Sequence, residues 1–233
     1  MARANLYTVN PGWRILLLDA GINPTNVLRR AGLPEDLLGR EKAYLSTQEY
    51  FRLWKGLEDE TEDPKLPIRL GTYFSVESFN PPVFAALCSQ DLNGALARLS
   101  VYKRLIGPME LKVEQGDVET TLTLKWLDEK VVPPASLVAM ELVFFVKLAR
   151  MATRSELCPT EVISPINLEP KQAYVDFFGL ELRTGQNPKI TFRAADATLP
   201  FLTANKKMWE CFEPELRKNL SELDDMATTS DRV

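Results

Sequence analysis

The sequence predicts an α+β fold in which a helical N-terminal lobe is followed by a mostly antiparallel sheet backed by helices. Apolar residues recur at helical spacing through about the first 106 positions, and they alternate with polar residues from 109 to 126. A segment from 135 to 153 is apolar nearly all round and would cover the sheet. We therefore expect one domain over 1–220, with a helical lobe at about 1–106, an α+β part at about 107–220, and a polar linker or tail at 221–233.

Start and stop signals define three helices in the first third of the chain. Asn10–Pro11 supplies a capping residue and a proline at the first helical position, and the helix that it starts should end at Gly21. Asn23–Pro24 and Gly32 bound a second helix in the same way. Ser46–Glu49 forms a capping box that predicts a third helix. The apolar face of this third helix consists of Tyr50, Phe51, Leu53, Trp54 and Leu57.

The segment from 74 to 84 interrupts the helical rhythm. Ser78, Asn80 and two prolines predict a loop or a helix entrance, and the segment carries Phe74, Phe79 and Phe84. Loops on a rigid scaffold often carry function, so Phe79 and Phe84 are candidates for the wall of a binding pocket. The alternative is that these aromatic side chains only pin the loop to the core.

A further helix is predicted after Asp91, which is a capping residue, and it should end at Gly107–Pro108. Its apolar side includes Tyr102, which repeats at helical spacing with leucines and alanines. The opposite side of this helix carries three cations: Arg98, Lys103 and Arg104.

Strict alternation of apolar and polar residues predicts a hairpin. The alternation runs over Met109–Glu114, Gly116–Asp117 turns the chain, and the alternation continues over Val118–Trp126. One face of this hairpin is apolar and must be covered. The expected cover is the long apolar helix Ala135–Thr153.

Two cations stand out in that apolar helix. Lys147 and Arg150 are three residues apart and are surrounded by Val, Leu and Phe residues. An anionic ligand would gain most in such a setting, because an unpaired cation in apolar surroundings is costly. The alternative is that both side chains reach solvent along their aliphatic stems or pair with a core carboxylate such as Glu141.

Shorter elements complete the predicted sheet. We expect a strand at 161–168, a short helix that ends at Gly179, and two strand pieces between 180 and 194. Thr203 is predicted to cap a last helix, which is interrupted at Pro214.

The composition excludes several classes of chemistry. The chain of 233 residues is 45% hydrophobic and contains no histidine, so it has no Ser-His-Asp machinery and no histidine-ligated metal. Cys88, Cys158 and Cys211 are scattered, and we expect reduced thiols that act as small core residues. No glycine-rich phosphate loop occurs, and the net charge of −4 disfavours phosphate backbones. We therefore expect no cofactor, no metal and, for this chain alone, no DNA binding.

The apolar runs are too short for a signal peptide or a membrane span. This predicts a cytoplasmic protein without a membrane partner.

Several local strings occur in an order that is typical of one family. They are Leu28–Pro34, a helix over Leu45–Trp54, Asp91–Leu96 running to Tyr102, the Leu111–Leu124 hairpin, Tyr174–Gly179, Asn187–Phe192 and Leu199–Pro200. Together they resemble the N-terminal domain of AraC-type transcription regulators, the arabinose-binding type that includes ornithine-responsive regulators. The resemblance covers nearly the whole chain, from about Trp13 to Leu220.

The resemblance implies a domain that binds a small-molecule effector, forms a homodimer and controls a C-terminal helix-turn-helix domain. No helix-turn-helix pattern precedes Val233, so DNA would be bound only through a further domain that is absent from this sequence. The candidate effector-binding residues are Phe79, Phe84, Tyr102, Arg104, Lys147 and Arg150. The candidate dimerisation residues are Met208, Trp209 and Phe212.

Two other functions stay open at this point. A small-molecule enzyme that uses carboxylates is weakened by the missing histidine and by the absence of two acids inside an apolar pattern. An interaction domain that only dimerises would need no ligand pocket at all.

Overall fold

Short helices surround a two-stranded sheet in the N-terminal lobe. The computed structural model describes residues 6–9, 12–40, 43–73 and 80–230. Strands β1 (Leu6–Thr8) and β2 (Tyr44–Ser46) pair antiparallel. The helices described in this lobe are α1 (Gly12–Asp19), α2 (Pro24–Arg30), α3 (Thr47–Thr61), α4 (Leu66–Tyr73), α5 (Pro81–Leu87) and α6 (Leu92–Tyr102).

Three of these helices have side-chain caps at their N-termini, and the capping residues are the ones that the sequence predicts. Asn23 accepts a backbone N–H from the first turn of α2 at 3.0 Å. Ser46 Oγ accepts from Glu49 N at 3.3 Å, and the Glu49 carboxylate accepts from Ser46 N at 2.8 Å. Asp91 accepts from Gly94 N at 2.8 Å at the start of α6. Each bond satisfies an N–H that the helix itself leaves without a partner, which explains why these helices begin at these residues.

A five-stranded sheet forms the second part of the fold. Its strands are β3 (Met109–Gln115), β4 (Glu119–Trp126), β5 (Glu161–Ser164), β6 (Arg183–Thr184) and β7 (Lys189–Arg193). The spatial order is β3-β4-β7-β5-β6, and every neighbouring pair is antiparallel except β5 with β6. The predicted α+β class with a mostly antiparallel sheet is confirmed.

Helix α7 (Ala135–Thr153) lies at the centre of the core. It begins and ends at the predicted residues, and 15 of its 19 residues are buried, so it is covered on nearly all sides. It packs against α3 and α4 of the lobe and against β5 of the sheet. Fully burying one of its Leu, Val or Phe side chains contributes about 1.5–3 kcal/mol. The helix therefore joins the lobe and the sheet through one continuous apolar cluster.

The C-terminal part ends in a long helix. Helix α8 (Lys171–Phe178) stops at Gly179 as predicted, and α9 (Ala194–Ala197) follows β7. Helix α10 (Lys206–Ser230) continues through Pro214, where the sequence predicts an interruption, and through the stretch after 220, which was predicted to be a polar tail. Both predictions are wrong. The reason is packing beyond the proline, since Leu216 and Leu223 are buried.

Several other local expectations differ from the structure. Thr203 does not cap α10, because its hydroxyl donates to Leu87 O at 2.6 Å, and Asn205 caps the helix instead by accepting from its backbone. All three cysteines were predicted to be core residues. Cys88 is buried as predicted, whereas Cys158 and Cys211 are exposed. The sheet β1–β2 and helix α4 were not predicted. The signals at 10–11 and at 74–79 lie outside the described residues.

Gly56 marks the closest approach between α2 and α3, and it yields a test of this packing. A Cβ at Gly56 would lie 2.6 Å from Val27 O and 2.8 Å from Ala31 N, both of which are backbone atoms that cannot rotate away. We expect Gly56→Ala to lower the free energy of unfolding by about 1–3 kcal/mol, measured by urea titration. Gly39→Ala is the control, because a Cβ at Gly39 would meet nothing within 4 Å. Equal losses in both variants would contradict this account of the packing.

Candidate functional site

A buried ion pair connects the end of α6 to the middle of α7. Lys103 lies in the 3₁₀ turn Lys103–Leu105 that follows α6, and its Nζ donates to Glu141 Oε2 at 2.5 Å. The two side chains are 1% and 8% exposed. Removing an ion from water costs several kcal/mol, so charges this deeply buried need a partner. The pair therefore places two charged groups inside an otherwise apolar interior.

Aromatic rings surround the ammonium group of Lys103. Its Nζ lies 5.3 Å from the ring centroid of Phe144 and 5.2 Å from that of Phe145. At these distances the electron-rich ring faces attract the cation. The carboxylate of Glu141 and the two rings therefore hold the ammonium group from different sides.

Two further polar groups lie beside the pair, both on α3. Burial raises the pKa of Tyr50, and the negative charge of Glu141 raises it further, so the hydroxyl stays protonated. The indole N–H of Trp54 lies close enough to lower that pKa slightly, yet it makes no well-formed hydrogen bond to any described residue. A buried donor without an acceptor costs about 1–3 kcal/mol. A ligand that supplies an acceptor to this indole would recover part of that cost.

These polar groups line one cavity of about 80 Å³, which we call the central cavity. Apolar side chains form most of its wall: Trp13, Leu16, Leu70, Val83, Ile106, Met140 and Phe144. Small-molecule sites usually combine apolar walls with a few convergent polar groups. The central cavity has this composition, and it is the candidate functional site.

Two of the larger clefts are less suited to a ligand because several of their charged groups already have protein partners. The first has a volume of about 680 Å³ and is open to solvent, and its Arg40 pairs with Asp36 at 2.8 Å. The second has a volume of about 350 Å³ and is acidic. Its Glu58 accepts from Ser136 N at 2.9 Å and so caps α7.

Two of the predicted pocket residues lie against α10. Phe84 packs edge-on against Phe212, with 5.1 Å between ring centroids, and Tyr102 packs against Trp209 at 6.2 Å. The structure therefore brings residues predicted for the pocket together with residues predicted for dimerisation. Neither Phe84 nor Tyr102 lines the central cavity. Phe79 lies outside the described residues.

The remaining predicted residues that contact or belong to α10 are Arg104 and Met208. The Arg104 guanidinium donates to Asp224 Oδ1 at 2.8 Å, near the end of the part of α10 whose side chains are described. Met208 is 36% exposed, whereas its neighbour Trp209 is half-buried. Of the three predicted dimerisation residues, Met208 thus presents the most surface to solvent.

The predicted cations of α7 are placed away from the central cavity. Arg150 Nε donates to Leu157 O at 2.7 Å, and its guanidinium lies 4.9 Å from the ring centroid of Phe177. Lys147 is half-buried. Neither residue lines the cavity, and Glu141, the carboxylate considered as their partner, is paired with Lys103. These contacts favour a structural interpretation of Arg150.

Sequence reasoning missed Lys103, which was assigned to the polar side of α6. The assignment failed because α6 ends at Tyr102 and the next turn is 3₁₀, whose shorter repeat turns Lys103 towards α7. One signal was available: Glu141 is the sole acidic residue in the sequence of α7. A carboxylate in such a buried helix needs a cation from another element.

Comparison with known proteins identifies the family. Residues 21–201 match the family described as the arabinose-binding domain of AraC transcription regulators, N-terminal. The chain belongs to this family. No curated protein sequence matches it. The members of this AraC family are regulator domains and not enzymes, so the carboxylate enzyme considered from the sequence is set aside.

A solved structure shares the fold of this AraC-type domain. The crystal structure of the transcriptional regulator CdpR from Pseudomonas aeruginosa is similar with a TM-score of 0.64 and 14% sequence identity. The similarity covers 92% of this chain and 66% of that chain, so this chain spans slightly less than two thirds of that regulator. Within the described residues, no helix is long and apolar enough to cross a membrane, and no group of three acidic or cysteine residues is placed to hold a metal ion.

The ion pair yields a prediction about stability. Lys103→Met should leave Glu141 buried without a counter-charge and should cost about 3–5 kcal/mol. Changing both residues to Met should recover most of that loss, because apolar side chains of similar size often replace a buried ion pair without penalty. Unfolding in urea measures both variants.

Lys112→Met is the control for this cycle, since the ammonium of Lys112 is exposed and pairs with Glu114 at the surface. It should change the free energy of unfolding by less than about 1 kcal/mol. If the double variant were less stable than Lys103→Met alone, the pair would not be the reason for the loss.

Proposed function

We propose that this chain is the effector-sensing and dimerisation domain of an AraC-type transcription regulator in the cytoplasm. It binds a small molecule in the central cavity and controls an attached DNA-binding domain. The match of residues 21–201 to the family carries this proposal. The cavity supports the sensing role, because it places polar groups inside an apolar wall.

The segment Tyr102–Leu105 connects the central cavity to α10. Lys103 lines the cavity, whereas Tyr102 packs on α10 and Arg104 binds Asp224. Consecutive residues in a 3₁₀ turn point about 120° apart, so neighbours in the sequence contact different parts of the protein. A ligand that moves Lys103 would therefore shift its two neighbours against α10. We take α10 as the output element of the domain.

Apolar contacts and one stacked cation supply most of the attachment of α10. The Arg98 guanidinium lies 4.0 Å from the ring centroid of Trp209 and donates to Ala85 O at 2.9 Å. Leu216 of α10 is buried in a small apolar cluster, and Trp209 packs against this cluster. The pair Arg104–Asp224 is partly exposed, and such pairs contribute about 1 kcal/mol or less. The docking of α10 therefore depends chiefly on Trp209 and its neighbours.

The two roles considered for Trp209 predict different outcomes on mutation. If it docks α10, Trp209→Ala should remove about 1–2 kcal/mol of packing, less than at a fully buried site. Hydrogen exchange in α10 should then become about five- to thirtyfold faster, since each 1.4 kcal/mol is a factor of ten. Mass spectrometry of peptides from 206–225 measures this. Met208→Ala is the matched control, because Met208 is its more exposed neighbour.

Unchanged exchange in α10 combined with loss of a dimer in sedimentation would contradict this prediction. Trp209 would then belong to the dimer interface, as the sequence first suggested.

A fusion experiment tests the proposed function as a whole. Residues 1–230 are joined to a helix-turn-helix domain that binds its operator only as a dimer. We expect the fusion to occupy the operator, whereas the unfused chain, with a net charge of −4, should leave the same DNA free. A compound that raises the melting temperature in a screen of amino acids, fatty acids, sugars and small neutral ring compounds should change the occupancy. A fusion that never binds the operator, or stabilising compounds without effect on occupancy, would refute the proposal.

A further inference from the structure

We infer that the central cavity accepts a small, net-neutral molecule with an apolar body and one hydrogen-bond acceptor, a carbonyl or hydroxyl oxygen, which bonds to Trp54. This inference rests on the proposed function and names the ligand class of the same site. This neutral ligand differs from the anionic ligand that the sequence suggested for Lys147 and Arg150.

The size of the cavity limits the ligand. A buried water needs roughly 10–15 Å³ of such volume. The central cavity, at about 80 Å³, therefore holds about five to eight atoms of that size. A five- or six-membered ring with one substituent fits this limit, whereas a sugar with its full set of hydroxyl groups exceeds it.

The charge balance among the described residues disfavours a charged ligand. Lys103 and Glu141 neutralise each other, and the other described residues that line the cavity carry no charge. A carboxylate ligand would place a second negative charge beside Glu141 without a new cation to compensate it. An ammonium ligand would do the same beside Lys103. Since an uncompensated charge in an apolar interior is costly, a net-neutral ligand is favoured.

The hydrogen-bonding groups of the cavity select an acceptor. The Trp54 indole can only donate, and it has no acceptor with good geometry among the described residues. The Lys103 ammonium carries three N–H groups, and the described hydrogen bond to Glu141 uses one of them. A carbonyl or hydroxyl oxygen can accept from either type of donor. The apolar wall then surrounds the rest of the ligand.

A set of ring compounds that differ in one group tests the inference. The probes are cyclopentanone, cyclopentanecarboxylate and cyclopentylamine. Each is titrated into the whole chain with ¹⁵N-labelled tryptophan, and the indole signals of the four tryptophans are followed by NMR. The spectrum of Trp54→Phe assigns the signal of Trp54.

Cyclopentanone should shift the Trp54 signal in a saturable way, because its carbonyl accepts from the indole. The dissociation constant should rise about three- to tenfold in Trp54→Phe, which is the effect of one lost hydrogen bond. Trp126→Phe is the matched control, since Trp126 packs on Phe51 and does not line the cavity, and it should bind cyclopentanone like the wild type.

A second variant covers the case in which Trp54→Phe does not fold. Val83→Met places a longer apolar side chain in the cavity and leaves its polar residues unchanged, and it should abolish binding of cyclopentanone. Tighter binding of the carboxylate or the amine than of the ketone would overturn the inference, and so would a Val83→Met protein that binds like the wild type. These titrations do not involve the operator, so their failure is separate from that of the fusion experiment.

Discussion

The buried ion pair between Lys103 and Glu141 constrains how the lobe and α7 fit together. Because both charges are almost completely removed from water, the 3₁₀ turn after α6 must stay next to the middle of α7. A shift of either element by one turn would separate the charges inside an apolar core. The apolar cluster supplies most of the driving force for folding, but it is not directional. The ion pair is directional, and it selects one register between the two elements.

The same turn also brings the candidate site close to the candidate output. Lys103 lines the central cavity, whereas its neighbours Tyr102 and Arg104 contact α10, so the two lie only one peptide unit apart. No long pathway through the sheet is needed. Strand β1 adds a second connection, because Tyr7 packs 6.4 Å from Tyr50 of the cavity, measured between ring centroids, and β1 also contacts α10. Coupling of this kind requires a ligand with different affinities for two positions of α10.

Membership of the AraC family is consistent with a ligand site that lies next to an output helix. The chemistry of the candidate site follows from the side chains of this chain and not from the family. The sequence suggested that isolated cations would bind the ligand, since these would attract an anion. In the structure, Arg150 is satisfied by a backbone carbonyl and an aromatic ring, and Lys103 by a carboxylate. Among the described residues that line the cavity, the buried group without a well-formed hydrogen bond is a neutral donor on Trp54. The ligand class that we infer therefore follows from the electrostatic balance of the described interior and not from its count of charges.

The sequence by itself determined the elements whose signals are local. Caps at Asn23, Ser46 and Asp91, the hairpin around Gly116–Asp117 and the bounds of α7 follow from hydrogen bonds and periodicities within a few residues, and all were predicted. The family also followed from local strings in order. Only the tertiary structure decided the continuity of α10 beyond its proline, because that depends on packing against α5 and on the buried leucines that follow.

The candidate site depended on the tertiary structure for the same reason. Lys103 and Glu141 are 38 residues apart in the chain, and nothing near either of them shows that they meet. Trp54 was assigned to an apolar face, and its unpaired indole N–H is a property of its surroundings. Local sequence determines which face of an element is apolar, but the pairing of buried polar groups is settled only when distant elements pack together.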